Sequence, residues 1–291
     1  MKLFSINTGH FKLDGGAMFG VVPKSMWNKL NPADENNMCS WALRCLLIQA
    51  GEKLILIDNG MGDKQDSKFF GHYYLHGEDT LDRSLAQHGF TKDDITDVVL
   101  THLHFDHCGG SIIRVGEKLL PAFKYATYWS NEKHWQWAIL PNDREKASFL
   151  KENILPIKES GQLKMIDIPT NEAGADAMPA LVPSGITPEL SFIFVNGHTE
   201  AMMLPVINFN NKTIVYTADL LPSVGHIPLP YVMAYDMFPL TTLKEKKSFL
   251  TWALEKDCVL FFEHDPVNEC CTLKSTEKGI REKDIFKLSE L

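Results

Sequence analysis

Long hydrophobic runs are absent from this sequence. No stretch of its 291 residues approaches the roughly 20 apolar residues that a membrane-spanning helix requires, so no membrane partner is expected. Positive charge is in short supply. The chain has 29 lysines and arginines against 37 aspartates and glutamates, a net charge of −8. A surface of that sign repels a phosphate backbone, so no nucleic-acid partner is expected either. The six cysteines (Cys39, Cys45, Cys108, Cys258, Cys270 and Cys271) include no C-x-x-C pair, which excludes a zinc ribbon or a thioredoxin-type motif. Residues 1–7 turn polar too early for a secretory leader. A cytoplasmic location with free thiols follows as the expectation. Internal repeats, low-complexity runs and linkers are missing too, and the reading is one domain over residues 1–291.

The chain has ample material for a core, at 44% hydrophobic and 10% aromatic residues. Its most informative stretch follows the apolar, β-branched run 95–100 (Ile95, Val98, Val99, Leu100), which predicts a buried strand. Directly after it comes Thr101-His102-Leu103-His104-Phe105-Asp106-His107. Histidine with carboxylate suits zinc and its first-row neighbours. His102 and His104 are two apart, and on extended backbone both side chains point the same way. Asp106 and His107 follow on a turn and can face a second ion, so one short loop can serve two metals. The plainer alternative is a polar loop with solvated histidines, but packing needs no such cluster.

The run has the form H-x-H-x-D-H, and three further motifs follow in order: Gly197-His198-Thr199, then Thr217-Ala218-Asp219 after the strand-like run 212–216, then Phe262-Glu263-His264 after the run 258–261. Together they resemble the metallo-β-lactamase superfamily over nearly the whole chain. The resemblance implies an α/β (α+β) chain folded as the αββα four-layer sandwich of the metallo-β-lactamase type. It assigns His102, His104 and His198 to one divalent ion, Asp106, His107 and His264 to a second, and Asp219 as the bridge between them. Zinc is the expected metal, although the same ligand types accept manganese, iron or cobalt. Asp58, in Asp58-Asn59-Gly60, resembles the aspartate of the family's D-x-G turn, which supports the metal histidines from behind. A simple turn aspartate is the alternative.

Two such cations acidify a bridging water, so that hydroxide is available near neutral pH. The implied activity is therefore a metal-dependent hydrolase acting on a small ester-like molecule, with a lactone of the acyl-homoserine-lactone type as the leading substrate. Asp106 and Asp219 are the catalytic carboxylates in this reading. The sequence departs from the family pattern twice. Glu200-Ala201 stands where a Pro-Gly pair often follows G-H-T, and Pro222 stands three residues after the bridging aspartate, where several acyl-homoserine lactonases place a catalytic tyrosine. Phosphotriesterase-like members lack that tyrosine and have a histidine in a region that His226 resembles. A phosphotriesterase or arylesterase is thus the alternative activity, and His226 the third catalytic candidate, with a plain loop histidine as its bland reading. A flavodiiron-type oxidoreductase is disfavoured, because such proteins usually have glutamate where this chain has His104.

Elsewhere the pattern predicts a strand at 2–7, a glycine-rich loop at 10–24, a hairpin of 41–49 with 53–57, an aromatic loop at 71–77 and a helix at 80–88. Met18 and Phe19 in the glycine-rich loop either line the substrate pocket or pack on the core. Residues 129–150 read as two helices split at Pro141, with 151–161 as a connection. This aromatic segment belongs to a helical insertion over about 129–160, a pocket lid or a homodimer interface, with Trp135 as a pocket candidate and core packing as the alternative. The segment 169–188 reads as a long loop, 240–256 as an amphipathic helix and 274–291 as a charged tail that packs in part.

Overall fold

A computed structural model describes residues 1–168 and 179–291. Strand β1 (Lys2–Asp14) leads through helix α1 (Gly15–Phe19) and the single turn α2 (Lys24–Trp27) into a hairpin of β2 (Met38–Ala50) and β3 (Lys53–Ile57). Helices α3 (Ser67–Tyr73) and α4 (Leu81–Gln87) return the chain to β4 (Asp97–Val99). Next come the one-turn helix α5 (Phe105–Cys108), the hairpin β5 (Ile112–Val115) with β6 (Lys118–Pro121), and β7 (Thr127–Asn131). Helices α6 (Glu132–Ile139) and α7 (Lys151–Glu159) connect β7 to β8 (Leu163–Ile166). The remainder comprises β9 (Val182–Pro183), β10 (Leu190–Val195), β11 (Met202–Phe209), β12 (Lys212–Tyr216), helix α8 (Pro239–Glu255), β13 (Val259–Phe261), β14 (Cys270–Thr276) and β15 (Gly279–Phe286).

The chain divides into two compact units, residues 1–10 with 43–167 and residues 11–42 with those from 168 onward. One sheet has the order β1-β2-β3-β4-β7-β8 and the other β15-β14-β13-β12-β11-β10-β9. In the first, β3, β4, β7 and β8 run parallel, with helices in their crossovers. In the second, β12 and β13 run parallel with α8 as the crossover. The central parallel strands β3, β4 and β13 are almost wholly buried, which accounts for their apolar runs, whereas β8 leaves Lys164 exposed. The first unit packs a core that includes Leu47, Leu56, Val98, Leu100, Phe123, Tyr128 and Trp135. In the second, Phe192, Leu204, Ile214, Leu260 and Phe261 are buried in the sheet, and α8, with Phe249 and Trp252 also buried, packs on β14 and β15. Among the described residues no helix is long and apolar enough to cross a membrane.

Several elements differ from the sequence expectation. The strand at 2–7 continues to Asp14, with the buried positions changing phase between Ile6 and Phe11, and Asp14 then caps α1 by accepting from Ala17 N at 2.8 Å. The aromatic stretch at 71–77 begins inside α3, which Asp66 caps through Phe69 N and which ends at left-handed Tyr74. Trp129 lies on β7 rather than on a helix. That strand pairs with β4 on one side and β8 on the other, and helix begins only after Asn131 caps it through His134 N. The second helix lies at 151–159, not 142–150, because Asn142 folds back to accept from the N–H groups of Arg144 and Glu145 and so breaks the run. Of the loop expected at 169–188, residues 169–178 lie outside the described residues. The expected tail pairs instead as the antiparallel β14–β15 ribbon. All six cysteines are free and buried.

The turn after β3 packs backbone to backbone on the loop that follows α5. Gly62 has φ +67°, and a Cβ there would come within 2.6 Å of Gly109 O. Gly62→Ala is expected to cost at least about 2 kcal/mol, combining a left-handed backbone with a clash against a main chain that cannot retreat. Urea unfolding of the metal-free protein measures it. A loss below about 0.5 kcal/mol would show that this contact is not fixed.

Candidate functional site

The histidine-rich residues sit where strands end. His102 and His104 follow β4, His198 follows β10, Asp219 follows β12 and His264 follows β13. Loops beyond the carboxyl ends of such strands are where α/β sheets hold ligands.

In the first unit, Asp58 leaves β3 and spreads its two oxygens over the loop after β4. Oδ1 accepts from Thr101 N at 2.8 Å, and Oδ2 accepts from Thr101 Oγ1 at 2.6 Å. Asp58 Oδ2 also lies 3.1 Å from His107 Nδ1. A neutral His107 donates there, which leaves the lone pair on Nε2, 3.9 Å from Asp106 Oδ2. His104 is held by the opposite nitrogen: its Nε2 lies 2.9 Å from Glu145 Oε1, so Nδ1 carries the lone pair. That Nδ1 faces His102 Nε2 at 3.1 Å. Two nitrogens bound to one tetrahedral zinc at about 2.0–2.1 Å stand about 3.3 Å apart, so this pair has the spacing of two ligands on one ion.

The segment 131–149 braces this loop from outside. Leu103 N donates to His134 Nε2 at 2.8 Å, Phe105 N donates to Ser148 O at 3.0 Å, and the Phe149 ring lies 4.8 Å from that of His104. Glu145 also accepts from Trp137 Nε1 at 2.6 Å. Lys64 Nζ donates to Gly109 O at 2.6 Å, its pKa lowered by burial to about 8. The Cys108 thiol donates to Leu103 O at 3.3 Å, and burial pushes its pKa up to about 12. It is therefore a packed thiol rather than a thiolate.

In the second unit His264 Nδ1 lies 2.8 Å from Ala42 O. A carbonyl can only accept, so that nitrogen carries the hydrogen and Nε2 the lone pair. His198 Nδ1 lies 2.9 Å from Asp236 Oδ1, which fixes the same tautomer. Both Nε2 atoms then face Asp219, His198 at 3.1 Å from Oδ2 and His264 at 3.2 Å from Oδ1. With neutral rings, lone pairs facing carboxylate oxygens at this range, in groups that are nearly buried, repel unless a positive charge, a metal ion or a proton on the ring, lies between them. A carboxylate that offers one oxygen to each of two imidazoles fits a bridging ligand, and the donor set suits divalent first-row ions.

The remaining candidates are also buried. His226 is fully buried. Its Nδ1 is 2.8 Å from Ser223 Oγ, its Nε2 is 2.9 Å from Met18 O, and its ring stacks on Phe19 at 4.5 Å. Desolvation drives its pKa down to about 3. Met18 and Phe19 are 2% and 0% exposed, with Phe19 also stacked on Trp27. Trp135 is a core residue of the first unit at 0% exposure. Sequence reasoning missed Asp236, Glu145 and His134. Asp236 lies 38 residues from its partner on irregular backbone, and no local pattern marks it.

Asp236→Ala is expected to weaken metal binding about 10–100-fold, the usual cost of losing the group behind a metal-bound imidazole. Titration against a chromophoric chelator measures it, and an unchanged affinity would remove His198 from the ligand set. His226 yields a pH prediction. Its folded pKa of about 3 lies below the unfolded value of 6.5, so the unfolded chain binds the extra proton between those values. Metal-free protein should therefore lose stability as pH falls below 6.5, by about 1.4 kcal/mol per pH unit from this group. Urea unfolding at pH 7 and pH 5 should show this slope in the wild type and a shallower one in His226→Gln; equal slopes would contradict it.

Residues 44–264 match the family model described as the metallo-beta-lactamase superfamily. The N-acyl homoserine lactonase AiiA of Bacillus thuringiensis subsp. kurstaki is 26% identical over 152 residues, which is 48% of this chain and 56% of that protein. The chain thus spans little more than half the length of the curated lactonases it matches. A probable metallo-hydrolase of Mycobacterium tuberculosis is 32% identical over 109 residues, 32% of this chain and 35% of that protein. Among solved structures, a probable metal-dependent hydrolase from Staphylococcus aureus superposes with a TM-score of 0.84 at 26% identity, covering 98% of this chain and 96% of that one. The dizinc quorum-quenching lactonase AidC superposes with a TM-score of 0.76 at 22% identity, covering 98% and 95%. With its mixed α/β fold matching these structures and its family match running through more than two hundred residues, the chain belongs to the metallo-β-lactamase superfamily.

Proposed function

We propose that this chain is a dinuclear metal-dependent hydrolase that opens a small lactone, of the acyl-homoserine-lactone type. The observation that carries the reading is Asp219, which sets one oxygen against His198 and the other against His264, each imidazole already fixed by a partner behind it. Similarity to N-acyl homoserine lactonases supports the substrate class.

By the motif assignment, His102, His104 and His198 hold one ion, Asp106, His107 and His264 the other, and Asp219 both. Zinc is the metal this donor set suits best. Two such ions, when bound, supply Lewis acidity, which acidifies water and polarises the ester carbonyl. The chain's own residues do the rest. Asp58, Glu145 and Asp236 fix the imidazole tautomers. Asp106 orients the attacking water by accepting its hydrogen bond and holds the proton released. His226, committed at both nitrogens and kept neutral by burial, acts by securing the Met18–Phe19 segment. We further propose that residues 1–291 work as one catalytic domain, in the cytoplasm, as a homodimer.

An aryl-ester or phosphotriester hydrolase is the second reading, favoured by Pro222 at the position of the lactonase tyrosine. Rates on an N-acyl homoserine lactone and on an aryl phosphotriester, from one preparation, separate the two; no turnover of either would sink both. Metal analysis should find about two ions per chain in the wild type and at least one fewer in Asp219→Ala. One ion or none in chelator-free wild type would remove the bridging role.

A further inference from the structure

The turn that carries His198 is held by α8 and the residues just before it. The chain leaves β10 through Asn196 and Gly197, and the N–H groups of both donate to a single carboxylate, Glu245 on α8: Asn196 N to Oε1 at 2.7 Å and Gly197 N to Oε2 at 3.0 Å. Two consecutive main-chain donors on one carboxyl group form a bidentate hold. On the other side, Phe238 N donates to Gly197 O at 2.8 Å and Met237 N to His198 O at 3.0 Å, just before α8 begins. Thr242, in the first turns of α8, presses against the same turn so closely that a Cβ on Gly197 would come within 2.3 Å of its backbone nitrogen and its Oγ1. The next residue of the helix, Lys246, is fully buried and donates to Pro228 O and Tyr231 O, both at 2.8 Å. Adjacent side chains of α8 thus hold two different loops.

We propose that Glu245 is a positioning residue for His198: its carboxylate fixes the two peptide planes before the ligand, while Asp236 fixes the ring. Glu245 touches no ligand, so its influence passes through the backbone. The inference rests on the reading of His198 as a metal ligand. Glutamine at 245 keeps the size of the side chain but offers one acceptor oxygen and one NH₂. The NH₂ faces a peptide N–H, leaving one donor unsatisfied and repelled.

The test uses cobalt(II) alone as probe on the full-length protein, with His198→Ala as the reference for a lost ligand and Lys246→Met as a control that loosens the other loop. Glu245→Gln should weaken cobalt binding about 10-fold and shift its visible absorption part of the way toward that of His198→Ala. Lys246→Met should lower the melting temperature of metal-free protein without moving the absorption of bound cobalt. Wild-type affinity and spectrum in Glu245→Gln would overturn the clamp, as would an equal spectral shift in Lys246→Met, which marks general loosening. If wild type and His198→Ala bind cobalt with the same spectrum, the ligand reading of His198 fails and the clamp fails with it.

Discussion

In each unit the candidate metal-binding histidines are held from behind. An imidazole presents one lone pair to a metal only when its other nitrogen carries the hydrogen, and a fixed acceptor decides which nitrogen that is. Asp58 does this for His107, Glu145 for His104, Asp236 for His198 and the Ala42 carbonyl for His264. Three of these acceptors are buried carboxylates, which would be costly without partners. Asp58 meets that cost with the backbone and side chain of Thr101, and Glu145 with the Trp137 indole. The same bonds that make the buried charges tolerable set the tautomers of the rings.

The architecture places those bonds. The candidate ligands lie on loops that follow β4, β10, β12 and β13, strands whose ends are fixed by sheet hydrogen bonds. Close backbone packing does the rest. Gly62 lies against Gly109 in one unit, and Gly197 lies against Thr242 in the other. Helix α8 serves its unit twice, as a cover for β14 and β15 and as the source of the carboxylate that grips the His198 turn.

The candidate ligands do not by themselves select a substrate. The ligand set suits any acyl or phosphoryl centre that a water can attack, which is why one fold supports many activities. The aromatic residues that suggested a pocket lie deep in the structure. Phe19 is stacked between Trp27 and His226, and Trp135 sits in the core of its unit. Large aromatic rings serve packing first and contribute to a site through what they hold in place.

The candidate ligands and their order could be named from the sequence because metal chemistry demands specific side chains at short spacing, and because strands that end in those motifs announce themselves as apolar runs. The hairpin of β2 and β3, the helix beginning at Leu81 and the long helix α8 were readable for the same reason of local periodicity. The rest was decided by distant partners. The pattern at Trp129 is as compatible with helix as with strand, and pairing with β4 and β8 settled it. The charged end of the chain became a ribbon because each of its strands supplies the hydrogen bonds of the other. Asp236, Glu145 and Glu245 have ordinary surroundings in sequence, and folding alone brings each of them to its partner, across 38, 41 and 49 residues respectively. By itself the sequence determined which atoms can bind metal, since that is a property of side-chain chemistry. The tertiary structure decided which nitrogen of each ring is offered, since that depends on an acceptor the local chain does not contain.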